Sequence, residues 1–251
     1  MTPRSASGGG AGGRGSRSPR PFIVAIDGPA GAGKSTAARR LASRLGFAMV
    51  DTGAIYRAVA LAASRAGVAF DDDPRLGALL PGLCIRFEPA AGGGQRVLLD
   101  GEDVSAEIRT APISLGASAV SARPVVRAAL LELQRRLATA EGNRGAVLEG
   151  RDIGTVVFPD ADVKFFLTAA AEVRAQRRHD ELVSKGQACT ISQVLADQQK
   201  RDRDDSQRAV APLRPASDAL LVDTSGLTLE GVVDALADAV QRRLDGGGRP
   251  G

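Results

Sequence analysis

One short stretch constrains this chain more than any other: Gly28-Pro29-Ala30-Gly31-Ala32-Gly33-Lys34-Ser35-Thr36, set between an apolar run at residues 22–26 and a helical pattern from residue 34. A strand, a loop of the form GxxxxGK[ST] and a helix, in that order, make a phosphate-binding loop. Glycines at 28, 31 and 33 let the backbone turn tightly with its N–H groups inward, forming a nest for phosphate oxygens. Lys34 can reach the outermost phosphates and Ser35 can offer a hydroxyl to Mg²⁺. The helix that starts here aims its positive end at the same anions. A nucleoside triphosphate is the natural ligand of such a loop, and the order strand, loop, helix, strand predicts an α/β fold with a parallel sheet. The loop identifies a ligand and leaves the reaction open.

The 251 residues suffice for a substantial core, either as one domain or as one domain with a subdomain insert. No apolar run approaches the ~20 residues needed to cross a bilayer, so no membrane span is expected. Residues 1–20 are rich in Gly, Ser and Arg and lack the apolar core of a secretory signal peptide, which makes the cytoplasm the expected location. Cys84 and Cys189 lack CxxC spacing, so neither a disulfide framework nor a zinc site is suggested. The formal charge of +4 is accounted for by Arg4, Arg14, Arg17 and Arg20, and residues 21–251 sum to zero. The basic balance thus marks a disordered N-terminal tail at 1–20 and not a nucleic-acid-binding face; no dedicated nucleic-acid partner is expected. Residues 246–251 read as a second tail.

Periodicity predicts strands at 22–27 and 48–51, with helices at 34–45, about 53–66 and near 73–80. The pattern then changes. Leu83-Cys84-Ile85-Arg86-Phe87 and Arg96-Val97-Leu98-Leu99-Asp100, separated by Pro89 and Gly92-Gly93-Gly94, suit an antiparallel hairpin that interrupts the βα order. Helices at about 112–121 and 124–139 follow, the latter with Val126, Leu130, Leu133 and Leu137 on one face. Strands at 146–149, 163–167 and 219–222, charged helices at 171–184 and 190–206, and a final helix near 228–244 complete the chain. The expected division is one domain at 21–245. Its core spans 21–79, 142–173 and 209–245, its insert about 80–141, and a helical lid about 174–208.

In open α/β sheets ligands sit beyond the carboxyl ends of the strands, and three clusters fall there. Asp51-Thr52-Gly53-Ala54-Ile55-Tyr56-Arg57 offers a carboxylate, a hydroxyl and a guanidinium suited to a second phosphate. Gly150-Arg151-Asp152-Ile153-Gly154-Thr155 presents a glycine-flanked pair in which Arg151 suits an anion and Asp152 suits an amino or hydroxyl donor. In the charged region, Arg201, Asp205 and Arg208 stand at i, i+4 and i+7, which predicts one helix face, and Arg174, Arg177 and Arg178 share one sector. Two arginine-rich helices able to fold over a phosphate loop meet the need of phosphoryl transfer, whose charge spreads over three oxygens. His179, the only histidine, lies on a charged helix and is read as a solvated neighbour.

Together these motifs resemble those of the bacterial cytidylate kinases, P-loop nucleoside monophosphate kinases, from Ile23 to about Leu244. Gly101-Glu102-Asp103-Val104-Ser105 and Arg208-Ala209-Val210-Ala211-Pro212-Leu213 extend the likeness. The resemblance implies a three-layer α/β/α fold with a parallel core sheet, a monophosphate-binding insert containing a small antiparallel sheet, and a mobile lid. It implies transfer of the γ-phosphoryl group of ATP to CMP or dCMP with Mg²⁺. It assigns the base to Thr52, Arg127, Asp152 and Arg208, the pentose to Ser118, Arg201 and Asp205, and the acceptor phosphate to Arg57 and Arg151. Lys34 and the loop amides would hold ATP, and Arg174, Arg177 and Arg178 would stabilise the moving phosphoryl group. Thr52 stands where serine is common and Glu149 where aspartate is frequent; both keep the functional group. A monomer is expected. The alternatives are a kinase for another small acceptor, such as UMP or shikimate, and a nucleotide-dependent switch or RNA-associated P-loop protein. The abundance of acceptor-side guanidiniums disfavours the switch.

Overall fold

The computed structural model describes residues 20–90, 94–184 and 186–246. The predicted tails at 1–19 and 247–251, and Gly92 and Gly93 of the predicted turn, lie outside the described residues. In chain order the elements are β1 (Phe22–Asp27), α1 (Lys34–Leu45), β2 (Ala48–Asp51), α2 (Thr52–Arg65), α3 (Asp73–Leu79), β3 (Ile85–Pro89), β4 (Gln95–Leu99), β5 (Glu102–Asp103), α4 (Ala111–Ser121), α5 (Pro124–Ala138), β6 (Gly145–Glu149), β7 (Val163–Thr168), α6 (Ala171–Ser184), α7 (Ile191–Gln207), β8 (Leu220–Asp223) and α8 (Leu229–Asp245).

Five parallel strands form the core sheet in the order β2-β6-β1-β7-β8. Side chains alternate across a strand, and here the alternation divides the interior in two. Ile23 and Ala25 of β1, with Ala146 and Leu148 of β6, join a cluster built with α2, α4 and α5. Val24, Ile26 and Val147 face the other way, against α1 and α8. The result is a three-layer α/β/α arrangement with every strand of its centre buried on both faces, which explains the unbroken apolar runs in β1 and β6.

The interruption is a three-stranded antiparallel sheet, β3-β4-β5. The sequence reading gives only a hairpin, since the third strand, Glu102–Asp103, is two residues long and has no alternation to reveal it. Arg65 at the end of α2 holds this strand through Glu102 at 2.6 and 2.9 Å and reaches Glu107 at 2.6 Å. The helix α2 is buried on nearly all sides from Thr52 to Ala63, because α4 packs against it on the side away from the sheet.

Two further local features differ from expectation. Residues Ile153–Val157 form a π-helical turn after β6. Arg20, read as the end of the tail, is docked: its Nη2 donates to Asp162 Oδ1 at 3.0 Å and to the Asp160 carbonyl at 3.2 Å. Cys84 and Cys189 are free thiols. No described helix is long and apolar enough to cross a membrane.

Candidate active site

The loop between β1 and α1 takes its shape from Gly28. Its φ is +145°, and a Cβ there would lie 2.0 Å from the Leu167 carbonyl oxygen of β7. Only glycine lets the chain turn so close to the neighbouring strand. Gly33 caps α1 without a side-chain hydrogen bond, and no acidic residue stands in the first turn. The N–H groups of that turn are therefore left for an anion.

Lys34 is buried, and its Nζ donates to the Pro29 carbonyl at 2.7 Å, bridging the loop from within. Burial, then the Arg151 charge, lowers its ammonium pKa to about 7, against the opposing pull of Glu149, Asp27 and Asp205. The Ser35 hydroxyl donates to Glu149 Oε1 at 2.7 Å. Burial raises the Glu149 pKa, and the Asp51 charge raises it further. A hydroxyl and two carboxylates beside a phosphate nest form an all-oxygen set that fits a hard divalent cation. Among the described residues no group of three or more His, Cys, Asp or Glu forms a cage.

Across from the phosphate loop, the ends of β2 and β6 present a second group of polar side chains. Asp51 caps α2 by accepting from Ala54 N at 2.8 Å and also pairs with Arg57 Nη2 at 3.1 Å. Thr52 Oγ1 donates to the Glu149 carbonyl at 2.7 Å, tying the start of α2 to the end of β6. Arg151 and Asp152 do not pair with each other. Arg151 Nε donates to Asp205 Oδ2 of α7 at 2.9 Å, whereas Asp152 pairs with Arg127 of α5, both side chains nearly buried. Arg127 also donates to the Ser121 carbonyl at 3.1 Å and lies 5.7 Å above the Tyr56 ring. Ser118, half-buried on α4, lends its carbonyl to the Ser121 hydroxyl at 2.9 Å, so it lies one turn from the Arg127 contact.

The predicted helix face carrying Arg201, Asp205 and Arg208 requires correction. Arg208 is not helical: it is the C-cap of α7, with φ −63° and ψ 141°. Its Nε donates to the Ala211 carbonyl at 2.7 Å, and Ala211 itself has a positive φ of 51°. The sharp turn into Pro212 pulls Arg208 off the helix, yet its Nη1 remains 3.7 Å from Asp205 Oδ1. Burial and the Arg151 charge weigh against ionisation of Arg201, and burial does the same for Arg208. Arg57 Nε, Arg201 Nε and Arg208 Nη2 are buried without any hydrogen-bond partner. Such donors are costly unless an acceptor arrives.

The three arginines of α6 separate in their contacts. Arg174 is buried, with Nη1 donating to the Ala30 carbonyl of the phosphate loop at 3.0 Å and to Asp202 Oδ2 at 2.6 Å. Arg177 holds Thr224 through its hydroxyl at 2.9 Å and its carbonyl at 2.7 Å. Arg178 pairs with Glu181 at 2.8 Å, while its charge still acts on Arg201. Sequence reasoning gave no role to Gln198, which is buried against Gly31 with its Oε1 unpartnered. It also gave none to Gln134, buried beneath Tyr56. Gln198 is one of four glutamines on α7 and Gln134 sits on the apolar-striped α5, so no sequence signal marks either.

The matches to known proteins fall on this same span. A sequence profile of the family described as "Cytidylate kinase" matches residues 24–242. A cytidylate kinase of Geobacter sp. (strain M21) is 54% identical over 222 residues, covering 88% of this chain and 94% of the relative. One from Geobacter sulfurreducens is 54% identical over 227 residues, covering 89% and 94%, and one from Pasteurella multocida is 46% identical over 224 residues, covering 89% and 97%.

Proposed function

This chain belongs to the cytidylate kinase family, and on that premise we propose that its cleft moves the γ-phosphoryl group of ATP onto the phosphate of CMP or dCMP, giving ADP with CDP or dCDP. The observation that carries the reading is the trio of unpartnered buried guanidinium nitrogens on Arg57, Arg201 and Arg208, set around Thr52 and Asp152 and across from the phosphate loop. They are acceptor-side donors awaiting a nucleotide.

The acceptor phosphate is already an anionic nucleophile, so the protein has little proton transfer to perform. Its work is alignment and charge stabilisation. Arg57 and Arg151 orient the acceptor phosphate in line with the γ-phosphorus. As the bond to the β-phosphate oxygen breaks, Lys34, Arg174, Arg177 and Arg178 stabilise the charge on the equatorial oxygens. Lid closure excludes water and so suppresses hydrolysis. Mg²⁺, when bound with ATP, neutralises β- and γ-phosphate charge, and Ser35, with Glu149 and Asp51 behind it, would hold it. Thr52, Arg127, Asp152 and Arg208 recognise the base, with the Asp152 carboxylate accepting from the exocyclic amine. Uracil lacks that amine, and a carboxylate left unpaired against an acceptor rejects it strongly. Ser118, Arg201 and Asp205 face the pentose. A monomer suffices for this site, and the substrates fit a cytoplasmic enzyme.

A coupled ADP-release assay across CMP, dCMP, UMP, AMP and GMP tests the reading. CMP and dCMP are expected to lead UMP by at least about tenfold in kcat/KM, and preference for UMP or AMP would overturn it.

A further inference from the structure

The carboxylate of Asp27 ties the strand that leads into the phosphate loop to the segment that carries Arg151 and Asp152. Asp27 ends β1, immediately before Gly28, and is 4% exposed. Its Oδ1 accepts from Ile153 N and its Oδ2 from Gly154 N, each at 2.8 Å. One residue earlier in β1, the Ile26 carbonyl accepts from Gly150 N at 3.0 Å. The segment bearing Arg151 and Asp152 is thus fastened to β1 on both sides of that pair.

The two N–H groups held by Asp27 open the π-turn Ile153–Val157. A helical turn leaves its first N–H groups without internal partners, and the residue just before it normally supplies the cap. That residue is Asp152, whose type is among the best caps. Even so, Asp152 makes no side-chain cap hydrogen bond; its carboxylate turns to Arg127 instead. The cap comes from a residue 126 positions earlier in the chain.

We propose that Asp27 is a positioning residue for the acceptor: by capping the π-turn from the adjacent strand, it frees the Asp152 carboxylate to face the nucleotide base. The inference rests on the functional reading above, in which Asp152 recognises cytosine. Without the distant cap, the Gly154 N–H, second in the turn, falls to the short side chain of Asp152, and local capping competes with ligand recognition.

The test is Asp27→Asn, whose amide can accept from one N–H only and sets an NH₂ group against the other. Wild-type turnover of CMP is measured first; its absence would overturn the functional reading rather than this one. In Asp27→Asn, KM for CMP is expected to rise at least tenfold and the CMP-over-UMP preference to fall by a similar factor. The dissociation constant of the non-hydrolysable analogue AMP-PNP should change by a much smaller factor than KM for CMP, since Asp27 reaches the donor side only through its charge on Lys34. An unchanged KM and preference, or CMP and AMP-PNP constants weakened in equal proportion, would overturn the proposal. If the variant does not fold, amide hydrogen exchange on wild-type protein decides. Ile153 and Gly154 should exchange no faster with CMP than without it. Faster exchange would mean that Asp152 had been their cap, and would overturn the assignment.

Discussion

Lys34 illustrates how burial prepares a residue for a ligand. Held among backbone and arginines, its ammonium is pulled down to about 7 by burial and the Arg151 charge. The phosphates of ATP reverse that balance, so binding should take up a proton. The sign follows directly: above the lowered pKa of the free protein, ATP must meet a neutral amine and protonate it. ATP affinity is therefore expected to weaken as pH rises beyond about 7, by at most about tenfold per pH unit for one proton. Calorimetric titration in buffers of differing ionisation enthalpy should report proton uptake, and buffer-independent heats would contradict it. The placement of Lys34, Arg57, Arg151 and Asp152 near the ends of the core strands was legible, because glycine or motif spacing isolates each charged side chain. What could not be read was pairing. That Asp152 meets Arg127 while Arg151 meets Asp205 depends on α5 and α7 arriving from distant parts of the chain.

At the scale of elements, periodicity located strands and helices closely, because most core strands are bounded by glycine or a charged residue and α1, α5 and α8 carry an apolar stripe. The failures have different causes. The π-turn at 153–157 is held by a contact from a distant strand, through Asp27, whereas the extended conformation of Arg208 belongs to the tight local turn that sets the Ala211 carbonyl against its Nε. The phosphate loop gives the sharpest element-scale prediction. Gly28→Ala would place a methyl group 2.0 Å from the Leu167 oxygen with φ at +145°, forcing β1 and β7 apart at the loop. A loss of at least about 3 kcal/mol in stability is expected, measured as a lowered midpoint in urea. A variant as stable as wild type would show that the loop is not held against β7 in solution.

For the whole molecule, the family match begins at residue 24, and the described site draws on nothing before β1. A chain starting at Arg20 should keep the wild-type kcat and both KM values within about twofold and the same melting temperature, since the Arg20 contacts to Asp160 and Asp162 are retained. Loss of activity on removing residues 2–19 would assign those residues a role in catalysis. The sheet itself has a longer-term consequence. One face, packed on α1 and α8, backs the phosphate loop; the other, packed on α2, α4 and α5, backs the residues proposed here for the acceptor. Substitutions that repack one layer need not disturb the other. Over evolutionary time such a partition lets a lineage change the molecule it phosphorylates while inheriting its source of phosphate intact.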